Sequence, residues 1–328
     1  MPNRVKANLK DIVKPINSYL KGVDEAIPEI LKTRIPLMNL SSLHLFKRGG
    51  KKIRASIVIL SSGLNGQIPD GITDLAAAVE IFHSATLVHD DIIDQAFLRR
   101  GNISVSSEWG SKVAVLAGDF MHVRSLQTIL GGGSSLLVGE LLAAALEMFK
   151  GEIYQIEFSG IDKINKEHYF NIIELKTAVF MGTCSKLGAM KADMPDSERE
   201  SLNQFGLNLG RAFQIIDDTF DYVEEKDAIG KDTGNDFRNG KITLPLLYLL
   251  ETVSKGVRKD LINCIKNPDK EAWIKVKGLF DEHKAVEYCM ETAGDYIKKA
   301  VPFLDAFPSS VYKEKLIDLA EFLIDREY

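Results

Sequence analysis

The sequence predicts an all-α protein, a large helical bundle that forms a single domain over residues 1–328. Apolar residues recur at spacings of three and four, the period of an α-helix, and alternating strand-like runs are almost absent. Some of the helical segments are apolar on nearly every side, which places them at the centre of a bundle with other helices around them. The long predicted helices are Leu75–Asp94, Leu136–Phe158, Tyr169–Met190 and Ser201–Val223.

The predicted helices are separated by short breaks rich in glycine, proline and aspartate. These breaks fall at Gly131-Gly132-Gly133, Met194-Pro195-Asp196 and Asn267-Pro268-Asp269. Ser197 and Glu200 have the spacing of a capping box, which predicts the start of the last long helix. A polar stretch, Glu224–Gly240, carries three glycines between helical segments.

Composition limits the classes of function. The 328 residues carry 41 Lys and Arg against 46 Asp and Glu, a net charge of −5, so no nucleic-acid partner is expected. Three cysteines lie far apart, which excludes a disulfide scaffold and favours a reducing compartment. The N-terminus shows no signal-peptide pattern, and no run approaches the roughly 20 apolar residues that a membrane span needs. We expect a soluble cytoplasmic protein.

Two aspartate clusters stand out, DDIID at Asp90–Asp94 and DDTFD at Asp217–Asp221. Each ends an apolar segment, and its first and last aspartates lie one helical turn apart on the same face. Carboxylates beside an apolar core need a compensating cation, and hard oxygen ligands suit Mg²⁺. Solvated acidic helix ends are the alternative, but two such clusters favour a metal site.

Basic residues accompany both clusters. They lie in the segment Gly49–Arg54, which reads GGKKIR, in Arg99-Arg100-Gly101 and at Lys231 and Lys241. Glycines beside closely spaced cations form a plausible anion cradle, and the arginine guanidinium grips phosphate oxygens through two donors. Each group alone is typical of a solvated surface, whereas their position beside the acidic clusters favours a metal-bound diphosphate.

These motifs resemble the trans-isoprenyl diphosphate synthases of the polyprenyl synthetase family, in particular the medium- and long-chain, octaprenyl-type enzymes. The resemblance extends from about Gly49 to Leu250. It rests, in this order, on GGKKIR, HSATLVHDDIID with RRG, AGDF, GEIYQ, LKT, GRAFQIIDDTFD and GKDTGNDFRNGKITLPLLY. It implies head-to-tail condensation of isopentenyl diphosphate onto an allylic diphosphate, farnesyl diphosphate or similar, by an isoprenoid-synthase-type bundle that is generally a homodimer.

The resemblance also implies roles for individual residues. The implied ligands of Mg²⁺ on the allylic diphosphate are Asp90, Asp94 and Asp217, with Asp91, Asp218 and Asp221. The implied binding residues for isopentenyl diphosphate are Lys51, Arg54, His83 and Arg100. Those facing the allylic diphosphate are Arg99, Lys176, Lys231 and Lys241. Thr177 and Gln214 would lie near the reacting carbon, and with Lys176 they are the expected catalytic residues.

Some positions allow two interpretations or depart from the family pattern. His83 lies two turns before Asp90 and is either a core histidine or a ligand-binding one; the surrounding motif favours the second. Glu152 and Gln155 line the site or belong to an exposed polar face.

Ala55 stands where the first basic motif usually has proline. Ile103 and Ser106 replace the proline and asparagine often seen after the second, which affects loop geometry more than charge.

Product length is expected to depend on the residues just before the first aspartate cluster. Short-chain enzymes of the family have an aromatic residue five positions before the first aspartate, where this chain has Ala85 followed by Thr86. One helical turn rises about 5.4 Å, comparable to one isoprene unit, so small side chains there predict a longer tunnel. The floor would be Phe82, Phe120 or Phe149. Small residues that merely ease helix packing are the alternative.

We therefore expect a medium- or long-chain all-trans polyprenyl diphosphate of the quinone side-chain type, with at most transient membrane contact during its release. Four alternatives stay open. These are a geranylgeranyl or farnesyl diphosphate synthase, the catalytic half of a two-component synthase, a non-catalytic helical partner subunit, and a class I terpene cyclase. The last usually pairs one aspartate-rich motif with a different second motif, so DDTFD argues against it.

Overall fold

The computed structural model describes residues 8–47, 49–99, 101–223 and 234–324, and these ranges are overwhelmingly helical. The helices and strands, in chain order, are α1 (Leu9–Val13), α2 (Asn17–Ile30), α3 (Pro36–Ser42), α4 (Ile53–Ser62), α5 (Ile72–Ile93), β1 (Leu98–Arg99), β2 (Asn102–Ile103), α6 (Val105–Trp109), α7 (Ser111–Gly131), α8 (Ser135–Glu157), α9 (Lys166–Ile173), α10 (Val179–Lys191), α11 (Asp196–Val223), α12 (Asn235–Arg238), α13 (Leu244–Thr252), α14 (Lys255–Lys266), α15 (Lys270–His283), α16 (Ala285–Ala300) and α17 (Val311–Ile324). Short 3₁₀ segments lie at Lys14–Ile16, His44–Phe46 and Val301–Ala306, and a π-turn at Glu174–Ala178.

The apolar periodicity predicted the long helices correctly, with ends shifted by a few residues. The predicted helices 75–94, 136–158 and 201–223 correspond to α5, α8 and α11. The remaining one, predicted over 169–190, is a consecutive run of α9, the π-turn and α10. β1 and β2 form a small antiparallel ribbon in which Leu98 pairs with Ile103.

The capping box predicted at Ser197 and Glu200 is wrong. Helix α11 begins at Asp196, so Ser197 lies inside its first turn. The carbonyl oxygen of Pro195 accepts the backbone N–H of Glu198 at 3.0 Å, and the helix starts two residues earlier than a cap at Ser197 would place it. A proline at this position has its φ already fixed near the helical value, which favours the earlier start.

The middle of the bundle contains α4, α5, α10 and α11. Helix α5 packs against α7, α4 and α2, while α10 packs against α11, α4 and α8, and α16 covers α11. The buried apolar side chains form one continuous cluster that extends from Ile12 in α1 to Leu323 in α17. Within the described ranges, no helix has the length and apolar character needed to cross a bilayer.

This arrangement places both aspartate clusters at helix ends. Helix α5 ends at Ile93 with Asp94 as its C-terminal cap, and α11 ends two residues beyond Asp221. The ribbon that follows α5 and the segment around α12 then return to these ends, and each brings a basic residue with it. The fold therefore gathers sequence motifs that are more than a hundred residues apart.

Candidate active site

The first aspartate cluster is held by two basic residues from different segments. The side chain of Asp91 is only 1% exposed. Its Oδ1 accepts a hydrogen bond from Nε of Arg99 at 2.6 Å and lies 2.5 Å from Nη2 of the same arginine. The turn from α5 into β1 brings Arg99 back to this position. Oδ2 of Asp94 lies 2.9 Å from Nζ of Lys241, which follows α12. Two of the predicted diphosphate-binding cations are thus paired with predicted metal ligands.

Asp90 lies deeper than Asp94, at the end of the apolar part of α5. The pKa of Asp90 is raised to about 6, mainly by burial; Lys176 and Arg99 oppose the rise, and the carboxylates of Glu152 and Asp94 contribute to it. A carboxyl group in this environment is stabilised in its charged form by any additional cation. The surroundings of Asp90 therefore favour the uptake of a metal ion.

Lys176 and Thr177 lie in the π-turn between α9 and α10. The π-turn packs closely against both α8 and α11 because each of these helices has a glycine where it meets the turn. A Cβ atom on Gly151 of α8 would lie 2.7 Å from Cβ of Leu175, and one on Gly210 of α11 would lie 2.6 Å from Cα of the turn's last residue. Single π-turns inside α-helices occur frequently at functional sites, because they change the direction of the side chains.

The ammonium group of Lys176 connects the π-turn to α8. Its Nζ lies 2.5 Å from Oε2 of Glu152 and 2.8 Å from Oε1 of Gln155. The Glu152 side chain is only 16% exposed, so it belongs to the site and not to a solvated helix face. Since Lys176 and Glu152 both act on Asp90, these residues form one electrostatic unit with the first aspartate cluster.

A chain of hydrogen bonds connects the π-turn to the second aspartate cluster. Oγ1 of Thr177 donates to Oε1 of Gln214 at 2.7 Å, and Nε2 of Gln214 donates to Oδ1 of Asp218 at 2.8 Å. The hydroxyl of Tyr169 donates to Oδ2 of the same aspartate at 2.6 Å. Burial raises the pKa of Asp218 well above its ordinary value, with Asp236 adding to the shift and the two hydrogen bonds opposing it.

Asp236 joins the two clusters, although it is not among the predicted site residues. Its backbone N–H donates to Oδ2 of Asp221 at 2.8 Å. Burial raises the pKa of Asp236 to about 7; Asp221, Asp217 and Asp94 raise it too, and Lys241 lowers it. Carboxylates of both clusters thus act on one side chain. In the sequence, Asp236 could have been noticed only as an acidic residue in the glycine-containing stretch after DDTFD. No comparable sequence feature points to Tyr169 as a site residue.

Two of the predicted isopentenyl diphosphate residues, Arg54 and His83, lie near one aromatic ring. Cζ of Arg54, in the first turn of α4, lies 5.8 Å from the ring centre of Phe180. The ring of His83, which is 8% exposed, lies 6.1 Å from the same ring. Lys51 is exposed in the preceding segment. Arg54 and His83 are therefore neighbours across the α4–α5–α10 junction, although 29 positions separate them in the sequence.

Two predicted binding residues, Arg100 and Lys231, lie outside the described residues. Within the described ranges, no three His, Cys, Asp or Glu side chains lie close enough together to hold a metal ion. The donors at the ends of α5 and α11 are carboxylate oxygens, which is the ligand type that Mg²⁺ prefers. Because Mg²⁺ usually keeps waters and takes phosphate oxygens, a few carboxylates per ion are sufficient. The donor set therefore fits Mg²⁺ carried on a diphosphate.

The predicted chain-length positions lie on α5 behind the aspartate cluster. Ala85 is fully buried, and Oγ1 of Thr86 donates to the carbonyl oxygen of His83 at 2.7 Å. One turn before Ala85, the Phe82 ring is 2% exposed and lies 4.6 Å from the ring of His122 on α7. Phe149, in contrast, is 54% exposed on α8. This favours Phe82 over Phe149 as the floor below Ala85.

Comparison with known proteins identifies the family. The model of the polyprenyl synthetase family matches residues 35–282. The chain is 32% identical to a short chain isoprenyl diphosphate synthase of Methanothermobacter thermautotrophicus, with 98% of this chain and 100% of the relative covered. It is 30% identical to the octaprenyl diphosphate synthase of Haemophilus influenzae, with 98% of each covered.

Among solved structures, a polyprenyl synthase from Caulobacter crescentus in complex with calcium and isoprenyl diphosphate superimposes with a TM-score of 0.93. It has 31% sequence identity, and the alignment covers 99% of both chains. The resemblance based on the motifs is thus confirmed over the whole length of the chain. The fold is the all-α isoprenoid synthase fold, and the protein is an enzyme that belongs to the polyprenyl synthetase family of trans-isoprenyl diphosphate synthases.

Proposed function

We propose that this enzyme is a Mg²⁺-dependent prenyltransferase that condenses isopentenyl diphosphate head-to-tail onto an allylic diphosphate such as farnesyl diphosphate. Its product is a medium- or long-chain all-trans polyprenyl diphosphate, a precursor of quinone side chains. The observation that carries the proposal is the meeting of both aspartate clusters with Lys241 and Asp236 at the ends of α5 and α11.

The allylic diphosphate would lie between these helix ends, where the six aspartates of the two clusters would hold Mg²⁺. Bound Mg²⁺ supplies Lewis-acid stabilisation of the negative charge on the departing diphosphate. Arg99 and Lys241 now pair with Asp91 and Asp94. With these carboxylates bound to Mg²⁺, Arg99 and Lys241 would be available to the phosphate oxygens. Lys176 contributes a third cation from the π-turn, and preorganised charges of this kind are an effective way to lower an ionisation barrier.

Isopentenyl diphosphate would bind at Arg54, Lys51 and His83, with Arg100 as a further cation. Thr177 and Gln214, connected by their hydrogen bond, lie next to the second cluster and would face the carbon at which the allylic diphosphate ionises. The double bond of isopentenyl diphosphate attacks the allylic cation, and the released diphosphate takes the proton. The apolar core behind the site keeps water away from the cation.

Relatives of this enzyme differ in the product that they are named for, from short-chain and geranylgeranyl to octaprenyl diphosphate. The buried Ala85 supports a long product, since no aromatic side chain blocks the position five residues before Asp90. A geranylgeranyl or farnesyl product is the alternative, in which Ala85 serves only the close packing of α5.

The active form would be a cytoplasmic homodimer of one-domain subunits. Apolar side chains on α8 remain exposed at spacings of three and four, the pattern of a seam between helices. They are Leu142, Leu146, Phe149, Ile153 and Ile156, each 48–65% exposed. Leu116, Val123 and Leu130, spaced seven residues apart on α7, are also exposed. A second copy of the chain is the partner that would cover such a stripe. The cytoplasmic location agrees with the three cysteines, which are all free thiols, as expected in a reducing compartment.

The deciding experiment is incubation of the purified protein with Mg²⁺, labelled isopentenyl diphosphate and farnesyl diphosphate, followed by separation of the dephosphorylated products by length. A ladder that ends beyond the geranylgeranyl length supports the whole proposal. A stop at or before that length contradicts the long-chain product and leaves the reaction intact. No incorporation with several allylic primers, reversed by a second subunit, would reveal one half of a two-component synthase.

A further inference from the structure

The first turn of α4 is held by a side chain from another helix. Lys52 stands at the N-cap position with a positive φ of 46°, and its ammonium group forms an ion pair with Asp24 of α2. The first N–H groups of a helix have no acceptor within the helix itself. Here the acceptor for the N–H of Ala55 is Oε1 of Glu80, in the middle of α5, at 2.9 Å.

This hydrogen bond is buried and involves a charged acceptor. Glu80 is 7% exposed and Ala55 is fully buried. Charge-assisted hydrogen bonds are stronger than neutral ones, and a carboxylate at a helix N-terminus also interacts favourably with the helix dipole. The bond depends on the residue type at position 55, because proline, which is usual there in the family, has no N–H to donate.

The two residues that share this bond each have a predicted substrate-binding residue beside them. Arg54 immediately precedes Ala55, and His83 follows Glu80 by one turn of α5. Both reach the Phe180 ring, the guanidinium carbon at 5.8 Å and the imidazole ring at 6.1 Å. A single bond therefore fixes the start of α4 relative to the part of α5 that carries His83.

Arg54 and Glu80 also lie near the same buried atom. Burial raises the pKa of the Cys184 thiol to about 12, and the charge of Arg54 lowers this pKa while the charge of Glu80 raises it. The guanidinium and the carboxylate thus act on one point in the α4–α5–α10 junction.

We propose that Glu80 is a positioning residue for the isopentenyl diphosphate site. Through the N–H of Ala55 it holds the first turn of α4 against α5, and this directs Arg54 and the adjoining Lys51 to the same diphosphate as His83. Glu80 itself does not touch the substrate. The inference rests on the proposed function, because that function supplies the identity of the diphosphate.

The test compares Glu80→Ala, Glu80→Asp and Glu80→Gln in the full-length enzyme. The KM for isopentenyl diphosphate and the KM for farnesyl diphosphate are measured separately, together with the melting temperature. Alanine removes the acceptor and aspartate withdraws it by one methylene group, so both variants should raise the KM for isopentenyl diphosphate about tenfold. Neither should change the KM for farnesyl diphosphate. Glutamine keeps an acceptor oxygen and should stay close to wild type.

A matched control is Asp269→Ala. Asp269 caps α15 through its Oδ1, which accepts the N–H of Ala272, again the third residue of a helix, at 2.7 Å. This variant should lower the melting temperature and leave both KM values unchanged. If Glu80→Ala and Glu80→Asp do not fold, Ala55→Pro removes the donor in place of the acceptor and should give the same selective rise.

Two outcomes would overturn the positioning role. One is a ratio of the two KM values that stays at the wild-type level in Glu80→Ala, Glu80→Asp and Ala55→Pro. The other is an equal selective loss in Glu80→Gln and Glu80→Ala, which would assign the effect to charge and not to the hydrogen bond. Failure of the proposed function is distinguishable, since wild-type enzyme would then fail to incorporate isopentenyl diphosphate.

Discussion

Nζ of Lys241 lies 2.9 Å from Oδ2 of Asp94, although 147 positions separate the two residues in the sequence. This ion pair connects the segment after α12 to the end of α5. It therefore links the surroundings of the second aspartate cluster to the first cluster. The hydrogen bond from Lys241 to Asp94 raises the pKa of Lys241 against the opposing effect of burial, so the side chain is a cation at neutral pH.

Lys241→Ala should lower kcat/KM for the allylic diphosphate about 10- to 100-fold, the usual cost of losing one charge-assisted hydrogen bond. The reason is that the variant removes a cation from the diphosphate and leaves Asp94 without its partner. Lys241→Arg, which keeps the charge, should lose less. Steady-state kinetics with isopentenyl diphosphate at saturation make the comparison. Equal values for Lys241→Ala and wild type would contradict a role in diphosphate binding.

Tyr169→Phe should raise the Mg²⁺ concentration needed for half-maximal activity about tenfold, as is common when a residue that orients a metal ligand is lost. The change removes the hydroxyl that donates to Asp218 at 2.6 Å and leaves the ring in place. Mg²⁺ titration of the initial rate measures the effect. Tyr154→Phe, which removes a hydroxyl that receives a 3.5 Å contact from Asn171, is the control and should titrate like wild type.

Substitutions on α5 should change product length in opposite directions. Ala85→Phe fills the position behind the aspartate cluster and should shorten the product, whereas Phe82→Ala removes the ring that packs on His122 and should lengthen it. Phe149→Ala should have no effect on length, since that side chain belongs to the exposed stripe of α8 that the proposed dimer would cover. Chromatography of the dephosphorylated products gives the distribution. An unchanged distribution in Ala85→Phe would favour the packing role for this alanine.

The sequence was sufficient for the features that depend on local patterns. Helical periodicity located α5, α8 and α11, and the repeated DDxxD spacing located the acidic ends of α5 and α11. Local patterns could not predict the π-turn around Lys176, because it depends on the absence of a side chain at Gly151 and Gly210.

Partners brought together by the tertiary fold were equally inaccessible to local patterns. Asp236 and Tyr169 lie in ordinary-looking polar and amphipathic stretches, and only the packing of α9 and α12 against α11 brings them to the second cluster. The wrongly predicted N-cap at Ser197 has a related cause. A proline one residue before the helix supplied a competing start that the Ser–Glu spacing does not reveal.

The proposed dimer predicts that a charge in the apolar stripe of α8 separates the subunits. Leu146→Glu places a carboxylate at a side chain that is 55% exposed in the single chain and would be buried in the proposed dimer. Light scattering after size-exclusion chromatography should change from the dimer mass to 36.5 kDa. Ile274→Glu, on α15 at 61% exposure, is the matched control and should remain dimeric. A monomeric wild type would contradict the assembly.

His122 should make the enzyme sensitive to acid. The pKa of His122 is lowered to about 4 from its ordinary 6.5, mainly by burial and also by the neighbouring His89, while Asp119 opposes the shift. A histidine with a lowered pKa in the folded state favours unfolding as the pH falls, because the unfolded chain takes up a proton near pH 6.5 and the folded chain does so only near pH 4. Its contribution to stability is therefore fully present above about pH 7.5 and lost between there and pH 4.

His122→Leu removes this proton linkage while keeping a side chain of similar volume against Phe82. Between pH 7 and pH 5 the free energy of unfolding of wild type should fall by about 2 kcal/mol more than that of the variant. Urea unfolding of both proteins at the two pH values measures the difference, and the contributions of all other titrating groups cancel in the comparison. Parallel pH dependences would show that His122 takes up its proton in the folded protein near the ordinary pKa, and that the contact with Phe82 does not exclude the charged ring.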